Sequence, residues 1–180
     1  MQKMVKYVIV NGHARSGKSS FADYATKELG IRGRRAYVYS SVSLVKDLAT
    51  RAGWDGRKTS EARKFLSDMK KVLVNSPWGN LTMKNVEDVA NRYDRLNDTP
   101  YPTYIFIMVR EPKEIHDYVY KYGATATFVR RDEANKVMGN DSDDGVENYP
   151  YHYFVNNNST LDNLKDEANI FVNWLIRCVE

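Results

Sequence analysis

The chain has 180 residues, of which 42% are hydrophobic and 28% charged, and its formal net charge is +4 with a pI near 9.0. This length fits one domain with its own core, and these proportions are typical of a soluble globular protein. No apolar run is long enough to span a membrane, and a single cysteine, Cys178, excludes an internal disulfide and a cysteine-rich metal site. The positive charge alone does not distinguish a protein that binds a polyphosphate from one that binds a nucleic acid.

A short buried strand is predicted at residues 6–10, followed by a glycine loop and by a helix over residues 20–29. The loop fits the pattern G-x-x-x-x-G-K-[ST], and the strand before it and the helix after it are the context that this phosphate-binding pattern requires. The predicted nucleotide-binding residues are Gly12, His13, Ala14, Arg15, Ser16, Gly17, Lys18, Ser19 and Ser20. The sequence therefore predicts binding of a nucleoside triphosphate.

Each residue type in the loop has a physical role. Gly12 and Gly17 let the backbone curl so that its N–H groups point inward, and the helix N-terminus adds a partial positive charge. Lys18 is expected to reach the β- and γ-phosphates, and Ser19 to place its hydroxyl on Mg²⁺.

Strands and helices alternate along the rest of the chain. Further strands are predicted at 35–39, 104–109, 124–129 and 151–155. Further helices are predicted from 40–43 through 49, at 60–74, 83–96, 112–123 and 161–178. A turn-rich basic loop lies at 53–58, and the polar, acidic residues 132–150 are predicted to form a mobile flap.

This alternation predicts an α/β fold of three layers, with a parallel sheet of about five strands flanked by helices. Ligands of such sheets bind at the carboxyl ends of the strands, so residues that follow strands are functional candidates. Besides the glycine loop, these are residues 40–43, Arg110, Glu111, Arg130 and Arg131.

Arginines are expected to matter because phosphoryl transfer is catalysed mainly by positioning and by cations around the moving group. Arg110, Arg130 and Arg131 follow or end predicted strands, and Arg15 lies inside the loop. With Lys18 they are the predicted catalytic residues. The alternative for each arginine is a solvated cap of a strand.

Several features together resemble P-loop nucleotide kinases. They are the glycine loop, the helix-rich segment after the second strand, the arginine that ends the central strand, the Arg130–Arg131 pair and the Tyr-x-x-x-Val-Asn-Asn stretch at 151–157. The chain looks most like phage-type deoxynucleoside monophosphate kinases and their dephospho-CoA-kinase-like relatives. The resemblance covers most of the chain, and the glycine loop is its specific motif. It implies one kinase domain over 1–180, with a helical acceptor insert at about 40–100 and a flap at about 131–150.

The resemblance also implies ATP and Mg²⁺ as cofactors and a small-molecule nucleotide as the acceptor, with a homodimer as one possible assembly. Asn156 follows the last strand, where such kinases contact adenine through the backbone. Trp54 is a candidate for stacking on the acceptor base. The acceptor-side candidates are Ser41, Lys46, Asp47, Trp54, Arg57 and Arg63.

Relatives carry an acidic residue in the central strand that helps to hold the Mg²⁺ water shell. Here Arg110 ends the predicted strand and Glu111 follows it, so Ser19 and Glu111 are the predicted metal residues, with Asp23 and Asp47 as alternatives to Glu111. The acidic run at 141–144 lacks the alternating ligands and the glutamate of a calcium loop and is predicted to be solvated. The three histidines lack metal-ligand spacing.

The predicted function is ATP- and Mg²⁺-dependent phosphoryl transfer to a (deoxy)nucleoside monophosphate. One alternative is a hydroxyl acceptor, dephospho-CoA or a nucleoside, for which Asp47 is the candidate base. A second is a nucleotide-binding regulatory module without kinase turnover. A nucleic-acid partner is disfavoured, because no basic stripe carries interleaved aromatic residues. A cytoplasmic location is expected, in the host cytoplasm if a phage encodes the chain.

Overall fold

The computed structural model of the protein describes residues 5–133 and 145–179, and its strands form one parallel sheet. The strands are β1 (Val5–Asn11), β2 (Ala36–Ser40), β3 (Thr103–Met108), β4 (Thr125–Arg130) and β5 (Tyr153–Asn156). Their order across the sheet is β2-β3-β1-β4-β5, and every neighbouring pair is parallel. The predicted five-stranded parallel sheet is confirmed, and β1 lies at its centre.

Helices cover both faces of the sheet. They are α1 (Lys18–Ile31), α2 (Ser43–Arg51), α3 (Ser60–Val74), α4 (Leu81–Arg95), α5 (Pro112–Tyr122) and α6 (Leu161–Val179). Side chains alternate across β1, so Val8 and Val10 face α1 and α6, whereas Tyr7 and Ile9 face α4 and α5. Each face therefore buries its own apolar cluster, and the predicted three layers are confirmed.

Residues 104–109 form an unbroken apolar run, which predicts a central strand that is covered on both faces, and the structure has such a strand. Tyr104, Ile105, Phe106 and Ile107 are fully buried because β3 has a neighbouring strand on each side and helices over both faces.

Helix α3 differs from the sequence prediction in its orientation. Phe65 and Val72 are expected on its buried side, but they are 44% and 70% exposed. The half-buried stripe is formed by Leu66, Met69 and Leu73. Helix α3 packs on α2 and α4 instead of on the sheet. These two helices leave part of its apolar surface exposed.

The observed starts of two other elements differ from the predicted ones, and hydrogen bonds explain both differences. Helix α4 begins at Leu81, two residues before the prediction, because the Asn80 side chain accepts a hydrogen bond from the Met83 N–H and caps the helix. Strand β5 begins at Tyr153, after the prediction, because the preceding Tyr151 amide donates to the Tyr149 carbonyl within a tight turn.

The C-terminal end of the predicted flap packs on the core. Val146, in a short 3₁₀ helix at Val146–Asn148, is fully buried in the α4–α5 cluster. The Tyr151 hydroxyl donates to the Val146 carbonyl at 2.8 Å, which fixes this turn to the sheet. The acidic run at 141–144 lies outside the described residues.

Within the described part of the chain, no helix combines the length and the apolar character needed to cross a bilayer.

Two buried tyrosines allow a test of this core. Burial raises the pKa of both the Tyr118 and the Tyr151 phenols, so each hydroxyl keeps its proton at neutral pH. The Tyr151 hydroxyl has two partners, Asn11 and Val146, whereas that of Tyr118 has none among the described residues. We expect Tyr151→Phe to lower the free energy of unfolding by about 1–2 kcal/mol and Tyr118→Phe to leave it unchanged or raise it. Urea denaturation measures both, and equal losses would contradict the assigned hydrogen bonds.

Candidate active site

The parallel sheet brings the carboxyl ends of its strands to one edge, with the glycine loop at the centre. On one side of the loop, β3 is followed by Val109 and Arg110, and β2 by Ser41. On the other side, Arg130 ends β4 and Asn156 ends β5. The predicted residues therefore separate into a β2–β3 side and a β4–β5 side around the loop.

The loop backbone requires glycine at two points. Gly12 has φ 146°, and a Cβ there would lie 2.5 Å from the Val129 carbonyl oxygen. Gly17 has φ 94°, and a Cβ there would overlap the Asn157 side-chain amide. Each position thus needs both an unusual backbone angle and a missing side chain.

Lys18 is the first residue of α1 and its side chain folds back over the loop. Its ammonium donates to the carbonyl oxygens of Gly12 at 2.6 Å and His13 at 2.5 Å. This position puts the charge at the N-terminus of α1, where the helix dipole also favours anions. The next residue, Ser19, is exposed.

Two asparagines hold the loop, and sequence reasoning missed the first of them. Asn11 is fully buried; its Oδ1 accepts from the Gly12 N–H at 2.6 Å, and its Nδ2 donates to the Arg110 carbonyl at 3.1 Å and to Tyr151 at 3.0 Å. Asn157, also buried, donates from Nδ2 to the Ser16 carbonyl at 2.8 Å. The loop is therefore fixed at both of its ends.

A sequence signal for Asn11 exists. It is a polar residue at the end of an otherwise apolar strand, directly before the first glycine of the loop. A buried amide must find hydrogen-bond partners, so this placement indicates a structural role. Asn157 gives a weaker signal, because asparagines also precede and follow it.

The remaining loop residues differ in exposure. His13 packs edge-on against Phe128, with ring centroids 5.7 Å apart, and its Nε2 lies 3.5 Å from Glu147. Arg15 is exposed and is the one non-glycine residue with positive φ, 62°, in the described chain. Ser16 is fully buried, and its hydroxyl has no hydrogen-bond partner among the described residues.

The β4–β5 side holds two neighbouring cavities that share Arg130 and Asp132. The first, of about 230 Å³, is lined by Arg130, Asp132, Phe154, Val155, Asn156 and Asn158. The second, of about 450 Å³, is lined by His13, Phe128, Arg130, Asp132 and Glu147. Arg130 places its guanidinium 5.1 Å from the centre of the Phe154 ring. Arg131, by contrast, is ion-paired with Glu133 at 3.2 Å.

The β2–β3 side contains the predicted acceptor residues, which are mostly exposed. Lys46 and Asp47 are exposed on α2, and Arg63 is exposed on α3. Ser41 is the exception, since it is only 3% exposed.

The basic loop before α3 is held by its own contacts. The Trp54 indole N–H donates to the Arg57 carbonyl at 3.0 Å, and the Arg57 guanidinium pairs with Asp55. The stacking role predicted for Trp54 must therefore use its ring face, because the N–H is already bonded.

The loop fits a triphosphate, since the N-terminus of α1 and the Lys18 ammonium both place positive charge at the carboxyl end of β1. The metal assignment has less support. Glu111 is paired with Lys70 at 3.0 Å, and no group of three potential ligands occurs in the described residues. Mg²⁺ bound with phosphates needs only one or two protein oxygens, so Ser19 remains a suitable ligand and Glu111 stays a prediction.

Comparison with known proteins identifies the fold. No family model matches the chain, and no curated protein matches it. Among solved structures, it is similar to two of the APS kinase CysC from Mycobacterium tuberculosis, a cysteine-to-alanine variant with a TM-score of 0.50 and a complex with AMPPNP and APS with a TM-score of 0.51. Both are 15% identical to this chain, and each alignment covers 97% of this chain and 99% of the other. The chain has the P-loop kinase fold.

One prediction concerns the clamp on the loop of this P-loop kinase fold. Asn157→Ala removes the amide that holds the Ser16 carbonyl and leaves that carbonyl without its bond. We expect the affinity for AMPPNP to fall about tenfold, which corresponds to roughly 1.4 kcal/mol, while the fold is retained. Titration calorimetry measures the affinity. The control is Asn91→Ala, an exposed position on α4 that should change nothing. Unchanged binding by Asn157→Ala would refute the clamp.

A second prediction concerns the backbone of Arg15. Because φ of 62° is unfavourable for a residue with a Cβ, Arg15→Gly should raise the free energy of unfolding by about 1 kcal/mol. Arg15→Ala keeps the strained angle and should not stabilise the protein. Thermal denaturation of the two variants distinguishes them, and equal stability would show that the loop stores no strain at this residue.

Proposed function

We propose that the protein transfers the γ-phosphoryl group of ATP, with Mg²⁺, to a small-molecule acceptor, and that the acceptor is a (deoxy)nucleoside monophosphate. One observation carries the proposal: Lys18 lies over a glycine-lined loop at the centre of a parallel sheet, with Arg110 and Arg130 at the ends of the two strands that flank β1. Cations on both sides of a triphosphate loop are what phosphoryl transfer between two anions requires.

The chain's residues have distinct parts in this proposal. The loop N–H groups and Lys18 would bind the phosphates, and Ser19 would hold Mg²⁺, which when bound neutralises charge on the β- and γ-phosphates. Arg15 and Arg130 would stabilise the transferring group, and Arg110 would hold the acceptor phosphate. Arg131 would have to leave Glu133 before it could take part.

The cavity of about 230 Å³ beside Arg130 is the proposed site of the nucleotide base. The Phe154 ring offers a stacking surface in this cavity, and the backbone at Asn156 offers polar groups. The AMPPNP complex of the APS kinase neighbour supports nucleotide binding at the level of the fold.

A phosphate acceptor is favoured over a hydroxyl acceptor because it is already anionic and needs no general base. A hydroxyl would need a carboxylate, and Glu111, next to Arg110, is held by Lys70. Asp47, the candidate base, is exposed on α2.

The proposal is tested by measuring ADP formation from ATP and Mg²⁺ with a panel of ribo- and deoxynucleoside monophosphates and dephospho-CoA. We expect turnover that depends on one acceptor and falls at least about 100-fold in Lys18→Ala. Lys27→Ala, an exposed lysine on the same helix, is the matched control and should keep full activity.

Binding of AMPPNP without turnover on any acceptor would refute the kinase proposal. A nucleotide-binding regulatory module would then be the better description.

A further inference from the structure

Helix α3 is tied to α5 by one half-buried lysine. The Lys70 ammonium lies 2.8 Å from Oε2 of Glu114 and 3.0 Å from Oε1 of Glu111. Lys70 is 14% exposed and Glu114 only 6%, whereas Glu111 is half exposed. We call these three residues the Lys70 latch. It connects residues that are 41 and 44 positions apart in the chain.

Little else buries α3. Of its 15 described residues none is classed as buried, and its packing partners are α2 and α4. Helices gain most of their stability from tertiary packing of an apolar face, so a helix with a half-exposed face depends strongly on any specific contact. The latch is such a contact, and it joins α3 to the helix that begins directly after Arg110.

The latch is a poor device for stability alone. Burial by itself lowers the pKa of Lys70, but the charges of Glu114 and Glu111 outweigh it, so the pKa lies above its usual value and the lysine is charged at neutral pH. The second carboxylate oxygen of Glu114 is buried without a hydrogen-bond partner among the described residues. A buried ion pair that leaves a carboxylate oxygen without a hydrogen bond stabilises a protein little more than apolar residues of similar size would. We therefore assign the latch to holding α3 in position.

The latch lies on the same face of α3 as Arg63. Arg63 precedes Lys70 by seven residues, about two helical turns, so it lies on the same face of α3 and about 10 Å along the axis. Glu111, the other end of the latch, directly follows Arg110. Fixing Lys70 on α5 therefore fixes the Arg63 face of the insert relative to Arg110.

We propose that Lys70 is a positioning residue that docks α3 on α5 and thereby sets the distance between Arg63 and Arg110 for binding the acceptor. The docking half of this inference stands on the contacts alone. The acceptor half rests on the proposed function, and the two halves have separate experiments.

Docking is tested by hydrogen exchange of the full-length, unliganded protein. Lys70→Met should speed exchange of the amides in α3 at least tenfold and leave those of α1 and α6 unchanged. Lys71→Met is the matched control, since Lys71 is 72% exposed and contacts only Asp68 among the described acidic residues. Glu114→Gln, which keeps the side-chain shape, should act in the same direction as Lys70→Met and serves if that variant does not fold. Unchanged exchange of α3 in both latch variants would overturn the proposal.

The acceptor role is tested by kinetics with the nucleotide that the substrate panel identifies. Lys70→Met should raise the KM for the acceptor at least tenfold, with kcat and the KM for ATP within about twofold of the wild type. The double variant Lys70→Met, Glu114→Leu replaces the buried charges with apolar groups and should restore both slow exchange and the acceptor KM.

A loss shared equally by both substrates would show a merely structural role and overturn the positioning. Slow exchange restored in the double variant without recovery of the acceptor KM would show that Lys70 does not act through docking, and would overturn it as well. If the wild type uses no acceptor, the proposed function fails, and with it the acceptor half, while hydrogen exchange still decides the docking.

Discussion

The loop between β1 and α1 depends on two close approaches that a side chain on either loop glycine would prevent. At Gly12 the loop passes against the Val129 carbonyl, and at Gly17 it passes against the Asn157 amide. Val129 belongs to β4 and Asn157 follows β5, so both contacts require these parallel strands to end at the same level as β1. The phosphate loop is therefore a product of the whole sheet, and any change in the register of β4 or β5 would disturb it.

The fold was largely predictable because its signals are local and repeated. The apolar run at 104–109 indicated a strand covered on both faces, and the helical spacing from Leu161 indicated the last helix. The glycine-loop pattern requires a strand before the loop and a helix after it. The structure has both, with a strand that ends at Asn11 and a helix that begins at Lys18.

The sequence could not reveal features that depend on distant partners. The orientation of α3 depends on Lys70 meeting Glu114, and nothing within the helix indicates that a lysine belongs on its inner face. The burial of Val146 in a polar segment depends on Tyr151 and the α4–α5 cluster. The roles of the arginines stay predictions, because their side chains lie at a solvated edge where periodicity gives no information.

The Lys18 ammonium already has two hydrogen-bond acceptors within the loop. The ammonium donates to two loop carbonyls, so an arriving phosphate exchanges partners with it and does not meet a bare charge. The enthalpy gained is the difference between the new and the old set of hydrogen bonds, which is smaller than that of the new set alone. A single phosphate therefore gains little binding enthalpy from this exchange. A chain of phosphates gains more, because it also accepts hydrogen bonds from the loop N–H groups. If the loop binds phosphates as proposed, this exchange of partners would favour longer phosphate chains over shorter ones.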